Sequence, residues 1–245
     1  MTISEGILHT PRNNRFLAPF IDYAALHVGA TEVDLESTCS VACHYRFAAV
    51  IVHPVDVAWC AKRLTDSGVK LAAVVGFHTG AFTLENKLFE AENALSYGAD
   101  EIDYVIRVAS LKGGDAACVH REMLALRKAT AGHTVTAILE TCLLTDEEKT
   151  AACKFAIDAG IDFVATSTGF STAGAAIADV QLLAKIADSS ALGIKASGGI
   201  RSANQALALI DAGAKRLGSS AAKSIMEEMN LVSRGGQADG SCMDS

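Results

Sequence analysis

Short apolar segments rich in β-branched residues alternate along the chain with longer segments in which apolar residues recur every three or four positions. The first pattern is typical of buried parallel strands, and the second of amphipathic helices of roughly ten to sixteen residues. The predicted strands are Phe20–Leu26, Ala48–His53, Leu71–Phe77, Glu101–Ile106, Thr134–Glu140, Phe163–Ser167, Leu192–Ser197 and Arg216–Ser220. Eight strands, each followed by a helix, predict an α/β protein with a single (β/α)8 TIM barrel.

The segment boundaries fit the same architecture. Thr145 and Ser202 each stand three residues before a Glu or Gln at the start of a helical segment, as in a capping box. An open, doubly wound sheet is the alternative fold, but no G-x-G-x-x-G motif follows the first strand. We therefore expect a barrel domain over residues 1–229 and, in the polar and glycine-rich residues 230–245, a flexible C-terminal tail.

Charge and hydropathy limit the kinds of partner. The formal net charge is -7, and acidic and basic residues are interspersed, so no basic stripe indicates nucleic acid binding. No apolar run has the length of a membrane span, and the first residues lack the basic start and apolar stretch of a signal peptide. We expect a cytoplasmic protein whose partner is neither a membrane nor a nucleic acid.

Charged residues stand inside two predicted strands. Asp103 interrupts an apolar strand, and Lys195 lies near the end of the seventh strand, before Gly198 and Gly199. A buried charge is costly unless it is paired, so an inward-facing Lys195 is a candidate partner for Asp103. The alternative is that Lys195 tunes or replaces a nucleophilic amine. Arg107 has the same strand parity as Asp103 and is a candidate for holding an anion at the barrel mouth.

Glycine and hydroxyl residues follow strands six, seven and eight. These segments are Thr166–Thr172, Ser197–Ile200 and Gly218–Ser220. Glycines let backbone N–H groups approach an anion, and the loops after strands seven and eight are the usual phosphate site of a TIM barrel. The sequence therefore predicts a phosphate-binding site at this part of the mouth.

Three histidines, His27, His53 and His78, stand at or just past the ends of the first three strands. They are candidates for acid–base work or substrate contact, and a three-histidine metal site is the alternative. The seven cysteines contain no CxxC pair, so they do not indicate a zinc site.

Together these motifs resemble the deoxyribose-phosphate aldolase family over about residues 20–228. The segments that carry the resemblance are Ile21–Leu26, Val74–Phe77, Gly98–Asp103, Ile138–Glu148, Thr166–Ser171 and Lys195–Arg201. The resemblance implies a class I aldolase that reversibly cleaves 2-deoxy-D-ribose 5-phosphate into glyceraldehyde 3-phosphate and acetaldehyde, without a metal or other cofactor. It also leaves a homodimer open as the assembly.

The resemblance implies roles for individual residues. Asp103 matches the proton-relay aspartate, and Lys195 matches the second lysine, which perturbs the pKa of the nucleophile. The implied phosphate-binding residues are Gly169, Gly198, Gly199, Gly218 and Ser220. The hydroxyl residues Ser171 and Ser219 in the same segments are further candidates. The nucleophilic lysine of the family should precede the T-S-T-G segment, but this chain has Ala165 there. Alanine cannot form an imine, so we expect the standard aldol activity to be altered or lost.

Other mouth positions also depart from the family pattern. We expect substrate contacts from Asp22 and Thr166, which lie in segments that match the family. We also expect them from five positions that differ from the family pattern, namely Tyr23, His27, His53, His78 and Arg107. Because several positions differ together, natural divergence is favoured over a single introduced Lys→Ala substitution.

Three hypotheses for function follow. In the first, the protein is a carbon–carbon lyase acting on a small phosphorylated sugar or aldehyde, and burial lowers the pKa of Lys195 so that it replaces the missing nucleophile. In the second, the same mouth carries out non-covalent acid–base chemistry such as enolisation, elimination or cyclisation. In the third, the protein is a catalytically inactive ligand-binding paralogue.

Overall fold

A computed structural model describes residues 17–235 of the chain. Its strands are β1 (Ile21–Ala24), β2 (Ala49–Val52), β3 (Lys70–Val75), β4 (Glu101–Val105), β5 (Thr134–Ile138), β6 (Phe163–Ala165), β7 (Gly193–Ser197) and β8 (Arg216–Ser219). Each strand pairs in parallel with the next, and β8 pairs with β1. The predicted (β/α)8 barrel is confirmed.

Helices surround the barrel. They are α1 (Glu32–Tyr45), α2 (Val57–Leu64), α3 (Leu84–Ser96), α4 (Val108–Lys112), α5 (Ala116–Ala129), α6 (Asp146–Ala159), α7 (Ile177–Ala187), α8 (Ala203–Asp211) and α9 (Ala222–Gly235). Thr145 begins α6 with the predicted capping box. Ser202 accepts from the backbone of Gln205, but the Gln205 side chain bonds Arg201 instead, so the second box is incomplete.

Most strands end one or two residues earlier than predicted. β1 ends at Ala24 rather than Leu26, and β6 ends at Ala165 rather than Ser167. The residues beyond these ends keep single bonds to the neighbouring strand, such as Thr166 N–H to Lys195 O at 3.1 Å. They leave the regular ladder because here the chain turns outward into the loops of the barrel mouth.

Strand residues alternate between the barrel interior and the layer under the helices. Val50, Tyr104 and Val164 belong to the large core between strands and helices. Ile51 and Ala165 belong to two small apolar clusters inside the barrel. This alternation decides which polar residues reach the interior.

The last helix, α9, crosses the predicted boundary between barrel and tail at residues 229 and 230. α9 continues through residue 230 to Gly235, and its residues Ile225, Met226 and Met229 are buried against the barrel. Residues 1–16 of the predicted domain and residues 236–245 of the predicted tail lie outside the described part of the chain. Within residues 17–235, no helix is long and apolar enough to span a membrane.

Candidate active site

A lysine lies between two carboxylates inside the barrel. Lys195 Nζ on β7 lies 2.5 Å from Asp103 Oδ2 on β4 and 2.7 Å from Asp22 Oδ2 on β1. All three side chains are almost completely buried. The predicted pairing of Lys195 with Asp103 is confirmed, and Asp22 joins it.

Two further residues extend this network. Arg216 on β8 contacts Asp22 Oδ1 at 2.5 Å and Glu101 Oε2 at 3.1 Å. The sequence analysis missed both residues. Their strand positions could have revealed them, because Glu101 stands two residues before Asp103 and therefore faces the same side of β4. With three carboxylates and two cations, the network has a formal charge of -1 when every group is ionised.

The network keeps Lys195 charged. Burial alone would lower the pKa of Lys195, but the negative charges of Asp103 and Asp22 outweigh burial and raise that pKa above its ordinary value. Burial raises the pKa of Glu101, and Arg216 opposes this effect. The expectation of a lowered pKa for Lys195 is not borne out, because the charges of Asp103 and Asp22 outweigh burial. The raised pKa favours the ammonium form of Lys195 at neutral pH.

Ala165 is the neighbour of Lys195 across two adjacent strands. It pairs with Lys195 in the register of β6 and β7, and its side chain is buried. Its cluster consists of Val105 and Ile138, with Phe77 packed against them. Position 165 is therefore an apolar part of the interior wall.

A cavity of about 440 Å³ opens above the network at the C-terminal ends of the strands. The predicted site residues that line it are His27, Asp103, Ala165, Gly169, Lys195, Gly198, Gly199, Gly218, Ser219 and Ser220. Lining residues that the sequence analysis did not select include Ser167, Thr168 and Arg201. The structure thus gathers most of the predicted catalytic and phosphate-binding residues around one cavity.

The glycines bring two mouth loops into close contact. Gly198 has a φ of 89°, and a Cβ atom there would lie 3.2 Å from backbone atoms of Gly169 and Gly174. A Cβ atom on Gly218 would lie 2.9 Å from the Cβ of Ser197. Side chains at these positions would push the loops apart, so glycine is required for the shape of this wall.

The three serines of the predicted phosphate site differ in whether their hydroxyl groups are available at the cavity. Ser219 Oγ donates to Ile200 O at 2.7 Å and accepts from Ala221 N–H at 3.0 Å, so it holds the loops together. Ser220 is exposed at the cavity. Ser171 contacts Cys142 at 3.5 Å and is not among the lining residues.

The three histidines do not converge. His27 lines the cavity, whereas His53 Nε2 lies 3.2 Å from the Leu26 carbonyl oxygen. His78 stacks on Phe170, with ring centroids 5.1 Å apart. Among the described residues, no group of three or more His, Cys, Asp or Glu side chains could hold a metal ion. The alternative of a three-histidine metal site is therefore wrong for this structure.

The structure does not bring three other predicted substrate-contact residues to the cavity wall. Tyr23 follows Asp22, so it faces the helical layer, where it packs edge-on against Phe47 at 5.9 Å. Thr166 follows Ala165 and is fully buried, with Oγ1 donating to Ser197 O at 3.0 Å. Arg107 is exposed at the start of α4, outside the set of lining residues.

Two buried polar atoms at the cavity have no hydrogen-bond partner within the described residues. They are Asp103 Oδ1 and Ser167 Oγ, and both residues are 2 % exposed. Buried polar atoms normally have a partner, so these two are the protein groups best placed to bond a bound molecule.

A closed barrel with a lysine–carboxylate network under a glycine-lined cavity defines a TIM-barrel enzyme site. Residues 18–226 match the family described as DeoC/LacD family aldolase. The chain belongs to this family of lyases.

Individual relatives agree with this assignment. The chain is 45% identical over 208 residues to a deoxyribose-phosphate aldolase of Streptococcus equi subsp. zooepidemicus, covering 85% of this chain and 94% of that protein. It is 44% identical over 220 residues to one of Aciduliprofundum boonei, covering 89% and 99%. The structure of the Aeropyrum pernix deoxyribose phosphate aldolase, described as tetrameric, superposes with a TM-score of 0.82 at 36% identity, covering 87% of this chain and 91% of that one.

Proposed function

We propose that this family member acts on a small phosphorylated carbonyl compound by acid–base chemistry that forms no imine. The observation that carries the proposal is the Lys195 ammonium group, which is held by Asp103 and Asp22 beside Ala165. The proposal includes binding of the substrate's phosphate group by the glycine loops, which is supported by the position of these loops at the barrel mouth.

An imine requires an unprotonated amine. The raised pKa of Lys195 leaves only a small free-amine fraction at neutral pH, so this lysine is a poor nucleophile. Another buried lysine, Lys87, lies on α3, where it bonds Glu122 at 2.6 Å and Val105 O at 2.7 Å. It is not among the residues that line the cavity. The hypothesis that Lys195 replaces the missing nucleophile is therefore disfavoured.

The same geometry suits proton transfer. Asp103 Oδ2 accepts from Lys195, while Asp103 Oδ1 is left to take a proton from a carbon or hydroxyl of the substrate. Lys195 would stabilise the negative charge that develops on the carbonyl oxygen during enolisation, because it is already oriented and charged. Cleavage of the carbon–carbon bond would begin with loss of the proton from the hydroxyl group beside that bond and would release acetaldehyde as its enolate, which Lys195 would stabilise until it is reprotonated. The altered lyase activity is then slow and passes through no covalent intermediate.

Hydrogen exchange tests this proposal. The protein is incubated with 2-deoxyribose 5-phosphate in D2O, and loss of the proton signals at the carbon next to the aldehyde is followed by NMR. We expect hydrogen exchange that depends on the protein. In a second experiment the enzyme–substrate mixture is treated with borohydride and fresh substrate is then added, and we expect the exchange to continue. Asp103→Asn should abolish it, while Lys185→Met on the exposed face of α7 should not. Exchange equal to that of Asp103→Asn, or exchange stopped by borohydride, would overturn the proposal.

We also propose a homo-oligomer in the cytoplasm, with a dimer as the smallest assembly. Apolar side chains on the outer surface support contact between copies, since Phe89 is 71% and Tyr97 54% exposed. Light scattering after gel filtration tests this assembly, and a monomer at micromolar concentration would contradict it.

A further inference from the structure

The cavity has two chemically different walls. The wall formed by β7, β8 and the loop after β6 is mostly glycines and polar side chains, including Gly169, Gly199 and Ser220, although Phe170 and Ile200 also line it. The wall formed by β1 to β3, β5 and the end of β6 is mostly apolar, including Leu26 and Val74, although His27 also lines it. A ligand that fills the cavity therefore meets a polar surface at one end and an apolar surface at the other.

Phe77 makes the apolar wall continuous. Its ring packs against the cluster of Ile51, Ala72 and Val74 from β2 and β3. It also packs against the cluster of Val105, Ile138 and Ala165 from β4 to β6. The apolar surface thus extends around the interior from the first strands to Ala165, next to the charged network.

Ala165 is the smallest side chain in that second cluster. A lysine at this position would place a long cationic side chain against Ile138 and Phe77, whereas alanine leaves their faces open to the cavity. The unpartnered atoms Asp103 Oδ1 and Ser167 Oγ are also at the cavity. They call for a hydroxyl or carbonyl group in the ligand.

We infer that the substrate is amphipathic, with an anionic end at the glycine loops, a hydroxyl group that donates to Asp103, and an apolar end of several carbons against Ala165, Ile138 and Phe77. This inference rests on the proposed function for the anionic end and the reacting centre. It adds the substrate class, namely phosphorylated carbonyl compounds that carry an alkyl or aryl group. Binding of the apolar end requires no turnover, so the two proposals can fail separately.

A series of simple probes tests the apolar subsite. Dissociation constants of inorganic phosphate, ethyl phosphate, propyl phosphate and butyl phosphate are measured by ligand-observed NMR with the full-length protein. We expect roughly fourfold tighter binding for each added methylene group, because each one leaves water for an apolar surface. Equal affinity across the alkyl series, or no detectable binding of any probe, would overturn the inference.

Two variants locate the effect. Ala165→Leu fills the subsite, so butyl phosphate should bind no more tightly than ethyl phosphate, while inorganic phosphate keeps its affinity and shows that the cavity is folded. Ala58→Leu makes the same change on the exposed face of α2 and should keep the wild-type dependence on chain length. If Ala165→Leu also keeps the wild-type dependence of affinity on chain length, the apolar end of the ligand lies elsewhere and the inference is wrong. Proton exchange in D2O, measured in parallel, reports on the proposed function alone.

Discussion

Lys195 Nζ on β7 and Asp103 Oδ2 on β4 lie 2.5 Å apart inside the barrel, although 92 positions separate the two residues in sequence. Asp22 contacts the same ammonium group at 2.7 Å. Two carboxylates on one buried lysine favour its charged form, which supports the electrostatic role proposed for it. The following predictions depend on this arrangement.

Removing the cation should destabilise the fold. Lys195→Met leaves Asp22 and Asp103 buried with one fewer counter-charge, and breaking a buried pair in this way costs about 3–5 kcal/mol. The free energy of unfolding in urea measures the loss. Lys185→Met removes an exposed lysine and should stay within about 0.5 kcal/mol of the wild type. A similarly small effect for Lys195→Met would show that the pair contributes little.

The pH dependence of stability follows from the raised pKa of Lys195. A raised pKa in the folded state means that the stabilisation is complete below the ordinary lysine value of about 10.4 and is lost as pH rises through the folded value. Asp103→Asn removes one of the charges that raise this pKa, so the loss of stability at alkaline pH should be smaller in the variant than in the wild type. Urea unfolding from pH 8 to 11 compares the two proteins. A loss of the same size in both would contradict the assigned coupling.

The glycine wall offers a matched pair of substitutions. Gly198 and Gly114 have similar φ values of 89° and 84°, but only at Gly198 would an added Cβ atom have backbone atoms of a neighbouring loop within 4 Å. Both changes to alanine should cost about 1 kcal/mol of folding free energy through backbone strain. Only Gly198→Ala should weaken phosphate binding, by about tenfold, through displaced hydrogen-bond donors. Equal phosphate affinity in both variants would exclude Gly198 from the phosphate site.

Thr166 should act on stability rather than on ligand contact. Its Oγ1 donates to Ser197 O and accepts from Ser197 N–H, both at 3.0 Å. Thr166→Val leaves these backbone groups unpaired and should cost about 1–3 kcal/mol in urea unfolding. Thr150→Val, at an exposed helix position, should cost less than about 0.5 kcal/mol. Weaker ligand binding by Thr166→Val at unchanged stability would restore the original prediction of substrate contact.

The sequence was sufficient for the barrel and for part of the site. Strand periodicity placed Asp103 and Lys195 inside, and their pairing is confirmed because opposite charges inside one barrel must neutralise each other. Tyr23 and Thr166 were predicted to contact the substrate because they are next to predicted site residues in the sequence. Each of them, however, directly follows an inward-facing residue. Strand parity alone would have turned both outward.

The electrostatic details depended on distances that the sequence does not contain. The pKa of Lys195 is raised by Asp103 and, in addition, by Asp22 from β1, and no local pattern connects residues 22 and 195. Strand parity could have placed Glu101 beside Asp103, but its pairing with Arg216 depends on the closed barrel. Ala165, in contrast, was evident from the sequence because its motif is local.

Imine trapping tests the central claim most directly. The wild-type protein and Ala165→Lys are incubated separately with acetaldehyde and borohydride, and the modified peptides are identified by mass spectrometry. The introduced amine would lie beside the Lys195 ammonium group, which should lower its pKa and make it reactive. We predict an ethyl group at position 165 of the variant and an unmodified Lys195 in the wild type. An ethyl group on Lys195 of the wild-type protein would show that this lysine forms an imine and would contradict the account.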